Sequence, residues 1–340
     1  MKLEDSGNKN IGGPEGQKAK VSVLAILAFA LSIVSIVSIF LSYHLVLCVA
    51  ISAIVMGCIE LVLNKRRQEK VRGKSMVVMG LVISLIWVIL LSTFFVYIMP
   101  FVYEVRQMAQ FLDISTGIEL FGSKFDGYPP SDVLDNDGRS YCGAMKLCEA
   151  LVGRDLQGFH PSSKFRADGL DESGASLYDP NTLEDRKGPY VPEASSNPYR
   201  IKDLYGDAGP FDGNDYVLCD IFRQVTYGGT DKKIGMPILY YKANKSKTAH
   251  DVNDPDNPEN IYDYRDNHAL LALGVPGKPE QKHPLFENPK IFYEMTRNNR
   301  VAGPSVPNRA DTYILLSAGR DGLYGTEDDI ANFAMQWKSK

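Results

Sequence analysis

Four acidic side chains and three glycines are concentrated in one stretch, SAGRDGLYGTEDDI, which runs from Ser317 to Ile330. Calcium takes six to eight oxygen ligands at about 2.3–2.6 Å, which carboxylates and backbone carbonyls on a tight loop supply. The glycines allow such a loop to fold back on itself. The spacing is not that of an EF-hand loop. The stretch is therefore either a calcium loop or a solvated acidic turn without a metal.

Two further acidic stretches contain the residue types of a metal site. DNDG, residues 135–138, matches the first part of an EF-hand pattern but has no closing Glu. The loop DPDNPEN contains Asp254, Asp256 and Asn257. Because Asp and Asn side chains commonly bond to their own backbone in turns, we interpret DNDG as an Asx turn and treat the second loop with the same caution.

Motifs for catalysis are absent from the sequence. It contains no G-x-S-x-G elbow, no H-E-x-x-H pair and no phosphate-binding loop. The four histidines after residue 100 lie in predicted loops or at their edges: His160, His250, His268 and His283. We therefore predict that the protein is not an enzyme.

Three long apolar runs lie in the first hundred residues. Val21 to Leu41 carries no charge, Leu45 to Leu63 contains only Glu60, and Met76 to Met99 again carries none. Each run is long enough to cross a hydrocarbon core of about 30 Å, so the sequence predicts three transmembrane helices. A cleaved signal peptide is a poor alternative, because two more apolar runs follow the first. Glu60 is either an ion site in the membrane or a side chain that reaches the interface.

A basic segment separates the second and third apolar runs. Residues 64–74, NKRRQEKVRGK, contain six Lys or Arg and one acid, and the positive-inside rule places such a segment in the cytoplasm. Residues 1–20 are then a cytoplasmic disordered tail, residues 21–103 a three-helix membrane domain, and residues 104–340 an extracytoplasmic domain. The expected location is the bacterial inner membrane, whose lipid is one partner.

Charge is distributed unevenly along the chain. Residues 1–100 carry a net charge of +5 and residues 101–340 a net charge of −9, which together give the formal −4 of the whole chain. Nucleic-acid binding needs a concentrated cationic surface. We therefore expect no nucleic-acid partner.

Three cysteines lie in the predicted extracytoplasmic domain, where oxidation is allowed. Their spacing matches no metal-binding motif. Either Cys142 and Cys148 form a disulfide and leave Cys219 buried in the apolar run YVLCDIF, or all three remain free thiols.

Helical periodicity continues after the third apolar run. Apolar residues recur every three or four positions at Phe101, Val105, Met108, Phe111, Leu112, Ile118 and Phe121. This predicts a helix that must end before DGYPPSD, where glycine and two prolines prevent its continuation. A second helix is predicted from Ala144 to Val152.

Strands are predicted later in the chain, at Tyr216 to Phe222, Pro237 to Ala243 and Thr312 to Ser317. Residues from about 150 to 310 are otherwise rich in turn residues, which indicates a loop-rich insertion. A long helix followed by loops and a few antiparallel strands is an α+β pattern.

The helix ending in ISTGIELFGSKFDGYPPSD and the closing segment YILLSAGRDGLYGTEDDI resemble the major pseudopilins of type II secretion systems. The resemblance covers residues 101–130 and 312–333, with Tyr128-Pro129 matching the family's turn after the helix. It implies a head with a long helix packed on a small antiparallel sheet. It also implies a structural calcium ion held by Asp321 and Asp328, by Asp329 or Glu327, and by carbonyls near Leu323 and Gly325.

The membrane part departs from the pseudopilin pattern. Residues 21–99 resemble a small multi-helix module of unknown function at the N-termini of many bacterial membrane proteins. A pseudopilin is cut after a glycine and carries Glu five residues into the mature helix, whereas a cut after Gly73 would place Val78 there. The resemblance therefore applies to the head on a permanent anchor.

Two functional interpretations follow. The first is a non-enzymatic, membrane-anchored assembly protein that contacts secretion or envelope components and associates with itself through its membrane helices. The alternative is an extracytoplasmic sensor that binds a ligand or glycan, since tyrosines in predicted loops can stack on sugars. These tyrosines are Tyr178, Tyr190, Tyr199, Tyr205, Tyr262 and Tyr264.

Overall fold

The computed structural model describes residues 26–27, 29–31, 51–62, 74–222, 225–226, 233–301 and 305–335. The chain divides into two compact units, Met1–Phe101 and Val102–Lys340. Helices and small antiparallel sheets together make the fold α+β.

The prediction of three transmembrane helices is wrong. In the described part of the chain one helix is long and apolar enough to cross a membrane, the continuous segment Val77–Phe125. The described part of the second apolar run is the apolar helix Ile51–Val62. The first run and the rest of the second lie largely outside the described residues. Absence of charge identifies apolar segments, but it does not by itself establish a membrane-spanning helix.

The first unit contains a close contact between its two described helices. Lys74–Thr93 is an α-helix, and a Cβ added at Gly57 would lie 2.8 Å from Cδ2 of Leu81 on that helix. A larger residue at position 57 would require the Leu81 side chain to move. Glu60 is buried in the same unit.

The long helix Met99–Phe125 provides one wall of the core in the second unit. Its buried residues are Gln107, Gln110, Phe111, Ile114, Gly117, Ile118 and Phe121. Phe101, Val105, Met108 and Leu112, which we predicted on the same apolar face, are exposed. The periodicity was correct for the helix, but the first half of the helix buries two glutamines and leaves its apolar row outside.

Hydrogen bonds explain why the glutamines are buried. Gln107 Nε2 donates to Gln110 Oε1 at 2.9 Å. Gln110 Nε2 then donates to the carbonyls of Ser195 and Cys219, both at 2.9 Å, and Gln107 Oε1 accepts from the Ile221 amide. Buried polar groups are tolerated when they are paired, and here they fasten two loops of the insertion to the helix.

The long helix ends where the sequence predicted. Asp126 has φ +57° and Gly127 has φ +153°, and the Gly127 amide donates to the Gly122 carbonyl at 3.1 Å. The second predicted helix is also present as Gly143–Val152, and all ten of its residues are buried. Its Glu149 accepts hydrogen bonds from the hydroxyls of Tyr141 at 2.7 Å and Tyr178 at 2.6 Å.

Seven short strands form three antiparallel sheets among the described residues. β1 (Pro198–Arg200) pairs with β2 (Tyr216–Leu218), and β3 (Val225–Thr226) pairs with β4 (Lys233–Ile234). The third sheet has the order β5–β6–β7, with β5 at Leu239–Lys242, β6 at Tyr313–Ser317 and β7 at Ile330–Ala331. The three predicted strand regions contain β2, β5 and β6.

The long helix packs on the third sheet. Phe111, Ile114 and Ile118 share one apolar cluster with Tyr240 of β5 and Leu315 of β6. A second cluster on the other side of the sheet contains Leu239 and Leu316 together with residues of the insertion. Alternate residues of β5 and β6 therefore serve two cores, which explains why β6 is buried at every position.

Short elements and turns make up the insertion. Its helices are Glu193–Ser196, Ile201–Tyr205, His268–Leu271, Pro284–Glu287 and Lys290–Thr296, with 3-10 turns at Pro180–Asp185 and Tyr264–Asn267. Their buried side chains, including Ile201, Leu270, Phe292 and Tyr293, belong to the second cluster. The insertion is therefore an integral part of the core.

Candidate metal centre

The acidic loop connects two neighbouring strands. β6 ends at Ser317 and β7 begins at Ile330, and these two residues are paired in the antiparallel register. Because pairing closes the base of the loop, Asp321, Asp328 and Asp329 are brought to the same end of the sheet. The structure thus gathers the three carboxylates that the sequence singled out.

Asp328 organises the first half of the loop. Its Oδ2 accepts the backbone amides of Arg320 at 2.7 Å and Asp321 at 2.9 Å, and its Oδ1 accepts the Thr326 hydroxyl at 2.7 Å. Gly319 has φ +63°, and an added Cβ would lie 2.1 Å from the Asp328 carbonyl oxygen. Glycine is therefore required for this loop to close.

Asp321 lies beside Asp328. Its Oδ1 accepts the Leu323 amide at 2.7 Å. Partial burial raises the pKa of Asp321, and the negative charge of Asp328 adds to this effect, while the Leu323 amide opposes it. A cation beside Asp321 would stabilise its ionised form.

Asp329 is the most buried of the three, with 5% of its surface exposed. Its Oδ2 accepts the Gly325 amide at 2.7 Å, whereas Oδ1 is buried and has no hydrogen-bond partner among the described residues. Burial raises the pKa of Asp329 well above its ordinary value, and the charges of Asp328 and Asp321 raise it further. A buried carboxylate oxygen without a partner is costly and is the kind of atom that a cation would satisfy.

The side chains do not themselves form a complete metal cage. Across the described residues, no group of three or more His, Cys, Asp or Glu is arranged to hold a metal ion. Several carboxylate oxygens of the loop already accept hydrogen bonds from backbone amides. The oxygen donors of the loop, including the unpaired Oδ1 of Asp329, are of the type that binds calcium. Backbone carbonyls would have to supply the remaining ligands. Glu327, the alternative ligand, is exposed.

Residues of the insertion hold the far side of the loop. The Leu285 amide donates to the Tyr324 carbonyl at 3.0 Å, and His283 Nδ1 accepts the Tyr324 amide at 3.4 Å. The Tyr324 ring is buried, and its hydroxyl donates to the Pro237 carbonyl. Burial lowers the pKa of His283 to about 4, so this imidazole is neutral at pH 7.

Asp220 binds the first residue of the acidic loop, a contact that no sequence motif predicted. This residue is fully buried, and its Oδ1 accepts the amides of Phe222 at 3.1 Å and Met236 at 3.0 Å. Its Oδ2 accepts the Ser317 hydroxyl at 2.7 Å. Burial raises the pKa of Asp220 to about 7. An acid inside the apolar run YVLCDIF was the available signal.

The other two acidic stretches form turns. Asp135 Oδ1 accepts the amides of Asp137 and Arg139, and its Oδ2 accepts the Ala167 amide at 2.9 Å. Asp254 Oδ1 accepts the Asp256 amide at 3.2 Å. These contacts confirm the Asx-turn interpretation of DNDG and show the same arrangement in DPDNPEN.

The predicted alternative of a Cys142–Cys148 disulfide is wrong. Cys142, Cys148 and Cys219 are buried free thiols. Cys142 precedes the helix Gly143–Val152 and Cys148 lies within it. Six residues along a helix correspond to roughly 9 Å of rise, beyond the about 7 Å between Cα atoms that a disulfide can bridge.

The histidines contact backbone groups or aromatic rings. His250 Nε2 lies 2.7 Å from the Tyr293 carbonyl oxygen, and His283 Nε2 lies 3.2 Å from that of Gly274. His268 stacks on Phe286 with 4.5 Å between ring centroids, and His160 Nδ1 accepts the Ser162 amide.

No protein-family model, curated protein or solved structure matches this chain. The resemblance to pseudopilins therefore depends on the quoted motifs, and the predicted ligand set remains a prediction.

Proposed function

We propose that this protein is a non-enzymatic, membrane-anchored assembly protein similar to type II secretion pseudopilins, with a calcium-stabilised C-terminal loop. One apolar helix could cross a membrane. The basic segment at residues 64–74 precedes it, which supports a cytoplasmic N-terminal side and an extracytoplasmic second unit in a bacterial inner membrane.

The observation that carries the assembly role is an apolar row on the long helix. Val105, Met108 and Leu112 are 51%, 45% and 68% exposed. Their spacing of three and four residues places them on one face, opposite the face that Phe111 and Ile114 bury in the core. Exposed contiguous apolar surface marks interaction sites.

A second copy of the chain is the expected partner for this row. Copies anchored in one membrane have the same orientation, so their long helices meet in parallel. Apolar residues at alternating spacings of three and four form the seam between parallel helices. An envelope or secretion protein with an apolar helical face would use the same surface.

Cross-linking in native membranes tests this role. The first hundred residues contain two cysteines, Cys48 and Cys58. With both replaced by serine, Leu112→Cys is expected to give a disulfide-linked dimer under mild oxidation. Leu183→Cys, at a leucine that is 42% exposed elsewhere in the second unit, is the matched control and should remain monomeric. Absence of a Leu112→Cys dimer, together with absence of cross-links to any envelope protein, would contradict the assembly role.

Calcium would have a structural role in this proposal. The carboxylates of Asp321, Asp328 and Asp329 and the carbonyls of Leu323 and Gly325 would hold it. The ion would offset the repulsion between the carboxylates. Support comes from the unpaired buried Oδ1 of Asp329 and from the raised pKa values of Asp321 and Asp329.

A further inference from the structure

An open cleft of about 810 Å³ lies in the second unit where the long helix ends. Its lining residues lie within residues 119–132, 242–247 and 260–266. Small-molecule sites occupy about 300–1,000 Å³, so the volume suits a ligand of that size. The cleft is separate from the acidic loop, because none of its lining residues belongs to that loop.

Polar groups of both signs line the cleft. Three lysines and five acids contribute to it: Lys242, Lys245, Lys247, Glu119, Asp126, Asp132, Asp263 and Asp266. The aliphatic contribution is limited to Pro130, Ala243 and Ile261. An apolar ligand would therefore find little surface to cover.

Five charged side chains in the cleft are available to a ligand. The ammonium groups of Lys242, Lys245 and Lys247 and the carboxylates of Asp126 and Asp132 form no ion pair or side-chain hydrogen bond within the described residues. By contrast, Asp263 is paired with Arg265, and Asp266 accepts the Ser131 hydroxyl. Free donors and free acceptors therefore occur in the same cleft.

This mixture of charges selects against highly charged ligands. The carboxylates repel a polyanion and the lysines repel a polycation, because like charges in one site are unfavourable. A neutral ligand that both donates and accepts hydrogen bonds avoids both penalties. Hydroxyl groups have this property.

A peptide bound by strand addition is also disfavoured. The open edge of β5 is already occupied, since the Lys242 amide donates to Ser131 Oγ at 3.0 Å and Asn267 Nδ2 donates to the Tyr240 carbonyl at 2.8 Å. Strand addition needs free main-chain groups at a sheet edge.

Tyr128 supplies a fixed aromatic surface in the cleft. Its hydroxyl donates to Glu119 Oε1 at 3.1 Å, and its ring packs edge-on against Tyr313 at 5.0 Å. The ring is half-buried, and its position is set by these two contacts. Aromatic rings with one apolar face and a polar tip suit amphipathic ligands.

We propose that this cleft binds a neutral oligosaccharide. A sugar ring packs on Tyr128, hydroxyls donate to Asp126 and Asp132, and other hydroxyls accept from the three lysines. This site goes beyond the assembly role and depends neither on calcium nor on self-association.

Calorimetric titration of the full chain tests the site, in a detergent without a sugar headgroup. The probes are cellotetraose, maltotetraose and N-acetylchitotetraose, with tetragalacturonate and a neutral tripeptide as competing classes. We expect at least one neutral tetrasaccharide to bind with Kd below about 10 mM. Lys245→Ala and Asp132→Asn should each weaken it roughly tenfold.

Lys278→Ala, at an exposed lysine outside the cleft, is the control and should leave the Kd unchanged. Unaltered melting temperatures of the two cleft variants would show that they are folded. Failure of all neutral tetrasaccharides to bind would overturn the proposal. Binding of only tetragalacturonate or the tripeptide, or binding that persists in both cleft variants, would overturn it equally.

Discussion

The hydroxyl of Ser317 donates a hydrogen bond to the buried carboxylate of Asp220 at 2.7 Å, across 97 residues of sequence. Ser317 is the last residue of β6, and its Oγ also accepts the Gly319 amide at 3.2 Å. The start of the acidic loop is therefore tied to the segment that follows β2. A substitution at Asp220 should therefore affect the acidic loop, because it removes or alters this contact.

Asp220 should make stability depend on pH. Its pKa is raised from 3.8 to about 7 by burial, so its contribution is fully present below about pH 4 and is lost as the pH rises through about 7. The corresponding loss is roughly 4 kcal/mol. We expect Asp220→Asn, whose amide can mimic the protonated acid, to flatten the decline of melting temperature between pH 4.5 and 7.5 in chelator.

Exposed Asp311 provides the control for this titration, since Asp311→Asn should keep the wild-type profile. A residual slope is expected from Asp215, whose pKa burial also raises to about 7, and from Asp266 and Asp329, whose pKa values burial raises well above the ordinary value. A profile unchanged by Asp220→Asn would show that folding does not shift the pKa of this carboxyl.

Calcium should stabilise the wild-type chain after chelation. An ion that binds only the folded state at a hundredfold excess over Kd adds about 2.7 kcal/mol, which differential scanning fluorimetry detects as a higher melting temperature. Asp328→Ala and Asp329→Asn should both abolish the response. Without calcium, Asp329→Asn should be at least as stable as wild type, because it removes a buried negative charge that Asp328 and Asp321 repel.

The exposed Glu327 gives a matched control, because Glu327→Gln removes a neighbouring charge and should retain the response. Magnesium should have a smaller effect than calcium, since it demands stricter geometry. Equal responses to the two ions would contradict a calcium-specific site, and no response to either would leave the stretch a metal-free turn.

Gly319→Ala should be more damaging than Gly138→Ala. Both glycines have positive φ, but an added Cβ at Gly319 meets the Asp328 carbonyl oxygen at 2.1 Å, whereas at Gly138 nothing lies within 4 Å. Gly138→Ala therefore costs only the backbone strain of about 1–2 kcal/mol. Gly319→Ala should cost more in chemical denaturation and should weaken the calcium response. Equal costs would mean that the loop relaxes around the added methyl group.

The thiols of the second unit should be unreactive in the native state. Burial raises the pKa of Cys142 to about 12 and that of Cys148 and Cys219 well above the ordinary value. Electrophilic reagents that react with thiolates should label these three residues only after unfolding. A reductant should leave the melting temperature unchanged, whereas loss of a disulfide would lower stability by about 2–4 kcal/mol.

Local features of the fold could be predicted from the sequence. Gly127 and the two prolines after Tyr128 end the long helix at Phe125, because they cannot continue helical backbone geometry. The apolar spacing in Gly143–Val152 and the β-rich runs at β2, β5 and β6 gave elements of the correct type. The glycines and acids of residues 317–330 likewise defined a tight acidic turn, since their effect on the backbone is local.

Tertiary structure decided which surfaces were buried. Periodicity predicted a helix with Val105, Met108 and Leu112 on its apolar face, but these residues are exposed. Gln107 and Gln110 are buried instead, because Gln110 donates to the distant carbonyls of Ser195 and Cys219. Apolar composition likewise did not determine how many membrane-spanning helices the described residues contain.

The sequence by itself determined where the chain turns, where it is apolar and where its acids are concentrated, because these properties depend on neighbouring residues. Only the tertiary structure joined Ser317 to Asp220, buried Asp329 with one oxygen unpaired, and placed Tyr128 opposite Lys242 in a cleft. Such arrangements depend on contacts between residues that are about a hundred positions apart in the sequence. No local sequence pattern specifies which of these residues pair.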